Sequence, residues 1–363
     1  MRVAIVAGII IDHDAISASV AGQASILERI PTVEKVVVFA QHINRDLPCE
    51  SFELHDAWSL TRHPAFALCD VVIFHWGIHY QLFDVITLLS TTPSQRPVVH
   101  FHNCTPREFV AESDRDLIDR SIAQVEHVIS LGVHFWTFSE FNRRTLIAWG
   151  TPVSQIHFVP IPVEIPSFVP AVRAADAVNL LMVGRRVPAK GIHVMLEALG
   201  RLDEDVRSQI QLRIAGSSTF TAPGYIESLE SLVDAHDLRS LVEFVDEPTD
   251  EELWHLYCGS DVVVSCSFHE GLCVPVLEGY AVGCRAIGTT AGNLPFVVQE
   301  PDPCVEPGDP GALAAVIVTM VAEVRGATAR EQLHPEFIAQ YSRANTAVCL
   351  QRELYRAMSS DRR

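Results

Sequence analysis

Short apolar runs alternate with longer stretches in which apolar residues recur at helical spacing. Val3–Ala7, Val36–Phe39, Val71–Phe74, Val98–Phe101 and His134–Phe138 are bounded by polar or turn-forming residues. Runs of this length and composition predict buried parallel strands. Helical spacing follows near Ala18–Arg29, Asp114–Val125 and Glu140–Trp149. Ser139 is placed to cap the last of these, and Gly150 to end it. The alternation predicts an α/β sheet covered on both faces. The first run, with acids at Asp12 and Asp14 and no small-residue cleavage site, reads as a first strand rather than a signal segment.

The texture changes at residue 160. Pro160, Pro162, Pro166 and Pro170 fall close together, which predicts a stiff linker over 161–178. A second alternating set follows. Leu180–Val183, Gln211–Ala215, Val242–Val245, Asp261–Ser265 and Arg285–Gly288 read as strands. Helices are predicted over Lys190–Leu199, Tyr225–Ala235, Asp250–Cys258 and Val274–Val282, with Thr249 or Asp250 as a cap. A long amphipathic helix closes the chain at Tyr341–Met358. The predicted organisation is a first domain over 1–160, the linker, a second domain over 179–338 and a terminal helical segment over 339–363. Two such sheets predict a ligand cleft lined by loops that follow strand carboxyl ends.

Charge narrows the function. The 363 residues hold 27 Lys+Arg against 45 Asp+Glu, a formal net charge of −18. A nucleic-acid binder needs the opposite balance. Residues 1–165 hold 11 Lys+Arg against 18 Asp+Glu and show no basic amphipathic surface. No apolar run reaches the roughly 18 residues of a bilayer span. Nine scattered cysteines without a C-x-x-C pair read as reduced thiols, which predicts a cytoplasmic protein. All but two of the basic residues are arginine, and the two lysines are Lys35 and Lys190.

Two loops carry chemistry. Gly184-Arg185-Arg186-Val187-Pro188-Ala189-Lys190-Gly191 leads from a strand into a helix. A glycine, two flanking cations and the free N–H groups of a helix start suit a diphosphate. The second loop is Phe268-His269-Glu270-Gly271-Leu272-Cys273-Val274-Pro275, with Glu278 inside the helix that follows. Pro275 suits a first helical turn. A carboxylate in so apolar a run needs a partner, and two acids there can accept hydrogen bonds from sugar hydroxyls.

The two loops, in this order and separation, resemble those of the retaining glycosyltransferases of family 4, which have the GT-B fold. Gly184-Arg185 with Lys190-Gly191 resembles that family's phosphate clamp, and Glu270 with Glu278 its E-x7-E signature. Phe138–Asn142 through Ile156–Pro160, Val242–Val245 through Asp261, and Thr290–Pro295 agree as well. The resemblance spans about 135–300 and implies two Rossmann-like doubly wound domains, with the terminal helix crossing back to the first. It implies transfer of a hexosyl group, with retention, from a nucleoside-diphosphate sugar to a hydroxyl of a sugar, glycan precursor or small aglycone. UDP is the family's commonest donor carrier.

By this likeness Arg185 and Lys190 hold the diphosphate, and Glu278 accepts from the ribose. Glu270 contacts the sugar near the reacting carbon. Gly184, Val245, Gly271, Leu272, Cys273 and Val274 complete the donor site. His102 in His100-Phe101-His102-Asn103 is assigned to the transferred sugar. No cofactor or metal is implied. Zinc at His100 and His102 is disfavoured because no third ligand accompanies them in sequence. Asp114-Arg115-Asp116 lies in a predicted exposed helix and is read as solvated.

Two stretches depart from the family. Its Gly-Gly turn after the first strand is replaced by Gly8 followed by Ile9–Ser19, so Gly8, Asp12, His13 and Ser17 are the acceptor-side candidates. Asp246 stands where the family commonly has glycine, which predicts an altered turn beside the base. Two alternatives stay open. One is a sugar-nucleotide epimerase or hydrolase; the other is a binding protein that keeps the donor pocket without turnover. A dehydrogenase is disfavoured because no G-x-G-x-x-G follows the first strand. A homodimer is left open.

Overall fold

The computed structural model describes residues 1–12, 14–92, 94–163, 177–219, 221, 224–326 and 331–359. The chain divides into two compact units. The first comprises Met1–Arg107, Glu112–Pro162 and Gln340–Arg363, and the second Glu108–Ala111 with Val163–Ala339. Most of the predicted linker, and the acceptor-side candidate His13, lie outside the described residues.

The first unit holds a seven-stranded sheet. Its strands are β1 (Arg2–Ile11), β2 (Lys35–Asn44), β3 (Glu50–Glu53), β4 (Val71–Trp76), β5 (Arg96–Phe101), β6 (His134–Thr137) and β7 (Ile156–Phe158). The order is β3-β2-β1-β4-β5-β6-β7, and every pair is parallel. Numbering reverses between β1 and β4, the point at which loops on either side diverge and leave room for a ligand. β4 is buried at every position, as a central strand covered on both faces requires. The helix Glu140–Ala148 is capped by Ser139, whose side chain accepts from the Asn142 N–H.

The terminal helix Arg343–Ser359 belongs to this first unit. Leu350 and Leu354 are buried in the core formed by β1, β2 and β4. Arg343 donates to Ser25 Oγ at 2.9 Å. Glu353, 2% exposed, is compensated by Arg352 and Arg356 on its own helix.

The second unit holds β8 (Val178–Val183), β9 (Ile210–Ala215), β10 (Val242–Val245), β11 (Val262–Val264), β12 (Arg285–Thr289) and β13 (Cys304–Val305). Their order is β10-β9-β8-β11-β12-β13, again with parallel pairs. The reversal now falls between β8 and β11. Among the described residues no helix is long and apolar enough to cross a membrane.

Glycine is required where the loop after β8 enters its helix. The predicted helix start at Lys190 is instead a 3-10 turn over Pro188–Lys190, and the α-helix begins at Ile192. Gly191 joins them at φ 65°, in the left-handed region. A Cβ there would lie 2.1 Å from the Cys266 carbonyl oxygen, a backbone atom with nowhere to go. Gly191→Ala is expected to destabilise the protein by about 3 kcal/mol, combining strain with overpacking. Urea denaturation of the purified variant checks this. An unchanged midpoint would mean that the two loops are not held together here.

Candidate active site

The loops after β8 and β11 meet because these strands are neighbours. Phe268 N–H donates to the Ala189 carbonyl at 2.8 Å, tying one loop to the other. Lys190 and Glu270, 80 positions apart, then form an ion pair at 2.6 Å. Their side chains are 27% and 11% exposed, so water screens the pair little. Ser267 Oγ donates to the same carboxylate oxygen at 2.7 Å. The Glu270 carbonyl accepts from Asn293 N–H at 2.9 Å, which brings the Thr290–Pro295 stretch under the acid.

A shallow hollow opens beside this pair, lined in part by Val183, Gly184, Lys190, Ser265 and Ser267. Gly184 adopts φ 152°, and the Lys190 stem passes its α-carbon. The missing side chain of Gly184 thus leaves room for the Lys190 stem beside the strand end. Arg185 is exposed, and its side chain makes no hydrogen bond or ion pair within the described residues.

Cys273 precedes the helix Val274–Ala281 and sits at φ 68°, ψ 66°. Leu272 and Cys273 are buried, and Gly271 and Val274 partly so. Pro275 occupies the first turn, as predicted. Burial pushes the Cys273 thiol up to about 12, so it is no nucleophile. Glu278, one turn further along, accepts from the Tyr257 hydroxyl at 2.6 Å. Burial raises its carboxyl to about 7, against the opposing pull of Tyr257. Here is the partner that the apolar setting of Glu278 demands.

The turn after β10 carries a feature that sequence reading missed. Arg186, 8% exposed, lies over the Phe244 ring at 5.2 Å. Its guanidinium comes within 3.5 Å of Asp246. The acid at this turn, beside Val245, is therefore offset by a buried cation. Arg186 and Asp246 are the two positions to read together, and only the fold brings them together.

In the first unit two of the acceptor-side candidates, Gly8 and Ser17, are enclosed. Gly8 is not a turn residue, because β1 runs on to Ile11, and Tyr80 packs over it. Ser17 is fully buried in the cap of the helix Ala15–Leu27. It accepts from Ile11 N–H at 3.0 Å and donates to Asp14 at 2.7 Å. Its hydroxyl is consumed by the fold and cannot serve an acceptor. Asp12 lies at the loop surface, 3.9 Å from Arg45.

His102 follows β5, and its backbone N–H donates to the Trp76 carbonyl at 2.7 Å. The third histidine that sequence spacing did not provide is His75 on β4. The β4–β5 register pairs His75 with His100, and His102 lies two residues further on the same face. Ring centroids of the three are 5.0 Å apart in every pair. One nitrogen from each lies within 4.8 Å of the others. Burial drives His75 and His102 well below the ordinary imidazole value, and His100 to about 3. Sequence held one clue to His75: a polar ring in the otherwise apolar run Val71–Trp76.

Residues 170–330 match the family model of glycosyl transferases group 1. The D-inositol 3-phosphate glycosyltransferase of Geodermatophilus obscurus is 29% identical over 262 residues, covering 67% of this chain and 58% of that protein. The MMP alpha-(1->4)-mannosyltransferase of Mycolicibacterium hassiacum is 28% identical, over 45% of this chain and 39% of that one. Aligned segments thus span little more than half, or less, of these relatives. Sucrose-phosphate synthase of Thermosynechococcus elongatus superposes with TM-score 0.77 at 20% identity, over 98% of both chains. Anabaena HepE, solved with UDP-glucose, gives TM-score 0.73 at 14% identity over 98% of this chain and 100% of that one. The architecture is thus the GT-B fold of glycosyltransferases. The match to the glycosyl transferases group 1 model lies over the second unit of the chain.

Proposed function

We propose that the protein transfers a hexosyl group, with retention of configuration and without a metal, from a nucleoside-diphosphate sugar to an acceptor hydroxyl. The acceptor is a sugar, a glycan precursor or a small aglycone. The observation that carries this reading is the Lys190–Glu270 pair beside Gly184, at the reversal between β8 and β11. Lys190 and Arg185 would meet the diphosphate and stabilise charge as the leaving group departs. Glu270, already engaged by Lys190 and Ser267, acts as a hydrogen-bond acceptor rather than an attacking group. In front-face transfer the bond from the anomeric carbon to phosphate oxygen breaks. The acceptor oxygen bonds to the same face, and its proton passes to the departing phosphate. Relatives solved with UDP-glucose support uridine as the base.

Calorimetric titration with UDP, GDP and ADP in the presence of EDTA tests the donor site. Tight binding of one nucleotide, lost in Lys190→Ala, is the expected result. Product analysis with the matching nucleotide sugars then separates transfer from hydrolysis. The altered stretch from Gly8 to Ser19, in which Gly8 and Ser17 are both enclosed, favours one second reading: a nucleotide-sugar-binding protein without turnover. Binding with no new glycoside across a panel of sugar acceptors would select it.

Glu278 adds a pH dependence. With its carboxyl at about 7, the acceptor-only form predominates above that pH. Nucleotide affinity is therefore expected to rise several-fold between pH 6 and pH 8. Glu278→Gln is expected to bind weakly and to lack this pH dependence. The same slope in the variant would assign the titration to another group, such as the phosphate.

A further inference from the structure

We propose that His75, His100 and His102 together bind one divalent transition-metal ion, which we take to be zinc, on a face of the first sheet. In sequence His100 and His102 lacked a third ligand, and β4 supplies it. The proposal does not rest on the donor site: its three ligands belong to the first unit, and Lys190 and Glu270 belong to the second.

Two neighbouring parallel strands present the rings. His75 and His100 are partners in the β4–β5 register, and His102 follows two residues on. One ring nitrogen of each lies within 4.8 Å of the other two, and no other such group of histidine, cysteine or acid occurs among the described residues. His75 Nδ1 and His102 Nε2 are already 2.9 Å apart. Zinc–nitrogen bonds of about 2.0–2.1 Å place neighbouring ligand atoms of a tetrahedral site roughly 3.3 Å apart. Two rings therefore stand near the spacing that zinc needs. The third closes the set by a movement of at most about 1.5 Å, the difference between 4.8 Å and that spacing.

The donor set selects the metal. Three imidazoles without a carboxylate suit zinc, nickel or copper, whereas magnesium and calcium take oxygen ligands. Burial disfavours the charged ring at all three positions, so each ring enters in the neutral form that ligates. One hydrogen lies between His75 Nδ1 and His102 Nε2. The ion takes its place, and the ring that gives it up carries hydrogen on its other nitrogen instead, so no proton is lost overall. His100 Nε2 is buried and has no hydrogen-bond partner within the described residues. A dry, unpaired polar atom is costly, and a cation among the rings supplies a partner that this face lacks. Water completes the tetrahedral set, since three protein ligands leave one position open.

Gln23, 1% exposed on the helix Ala15–Leu27, stands behind two of the rings. Its carboxamide lies 2.8 Å from His75 Nε2 and 3.2 Å from His100 Nδ1. Ligating histidines rest their outer N–H groups on acceptors. A carboxamide has one acceptor oxygen, so Gln23 serves one ring and not both. A carboxylate at this position would offer an oxygen to each ring and a negative charge beside the ion. Affinity is therefore expected to depend on residue 23 in both directions.

The test titrates zinc into protein that has been stripped with EDTA and desalted, by calorimetry, with elemental analysis of the product. One equivalent per chain is expected, and none of magnesium. Cobalt in place of zinc is expected to give the intense visible absorption of a tetrahedral site. The chain has 16 histidines, so variants must locate the ion. His102→Ala removes the half-buried ligand and is expected to weaken zinc binding more than about a hundredfold, beyond the loss of an outer-shell partner. Gln23→Leu is expected to weaken it about tenfold, and Gln23→Glu to tighten it about tenfold. Urea midpoints without metal establish that each variant is folded, and the Gln23 pair decides the site even if His102→Ala does not fold. No zinc on the wild-type protein, wild-type affinity in folded His102→Ala, or equal affinity in the two Gln23 variants would overturn the site. EDTA in the donor titration keeps the site empty there, so failure of the donor reading and failure of the metal site are read separately.

Discussion

Lys190→Ala is expected to lower kcat/KM by about two to three orders of magnitude, the usual cost of removing one preorganised group that meets developing charge. Two effects add. The leaving diphosphate loses a cation. Glu270, whose side chain is 11% exposed, loses the partner that compensates its charge. A carboxylate left alone in such a place is costly, so the folded protein should also lose stability. Lys190→Arg separates the two effects. It restores the charge for Glu270 but brings a planar fork in place of a compact ammonium. Stability is expected to recover largely, and turnover only in part. Steady-state kinetics with the donor found by calorimetry, beside urea melts of all three proteins, reads both quantities. Full turnover in Lys190→Ala would remove the proposed site.

Acidification from pH 7.5 to pH 5 is expected to cost the protein at least about 2 kcal/mol of stability through His100 alone. Its folded value is about 3, far below the ordinary imidazole value, because burial disfavours the charged ring. Between these two values the unfolded chain binds a proton that the native protein refuses. Stability therefore falls as pH drops below about 6.5, by roughly 1.4 kcal/mol per pH unit for each such ring. His75, also buried and shifted down, acts in the same direction. Domains of this kind are stable by only about 5–15 kcal/mol, so the loss is a large share. Urea titrations at the two pH values measure it directly. Equal stability at pH 7.5 and pH 5 would mean that the histidine face admits protons and water in the native state.

Much of the second unit was legible in the chain. The strand at Val242–Val245 and the helix at Tyr225–Ala235 appear with the predicted bounds. Central parallel strands announce themselves, because burial on both faces forces an unbroken apolar run. Caps such as Ser139 and Thr249 announce helix starts, because the first N–H groups need a local acceptor. Edge strands were harder to see. β3, over Glu50–Glu53, carries two glutamates in four residues, as a solvent-facing edge permits. The length of β1 also escaped, because Ile9 faces solvent while Ile10 faces the core, and the apolar run hides that alternation.

By itself the sequence determined the two-unit α/β plan, the two chemistry-bearing loops and the identity of Glu270, Glu278 and Lys190 as candidates. Those are consequences of local periodicity and of residue types that are costly to bury without a partner. Only the tertiary structure decided who the partners are. It placed Lys190 on Glu270, Tyr257 on Glu278, Arg186 beside Asp246, and Gln23 and His75 behind His102. It also enclosed Gly8 and Ser17, which sequence had offered to an acceptor. The physical reason is strand order. Chain neighbours share a strand or a helix, but site neighbours share a sheet reversal. The parallel pairings of β8 with β11 and of β4 with β5 are set by the burial of whole faces, which no short stretch of sequence encodes.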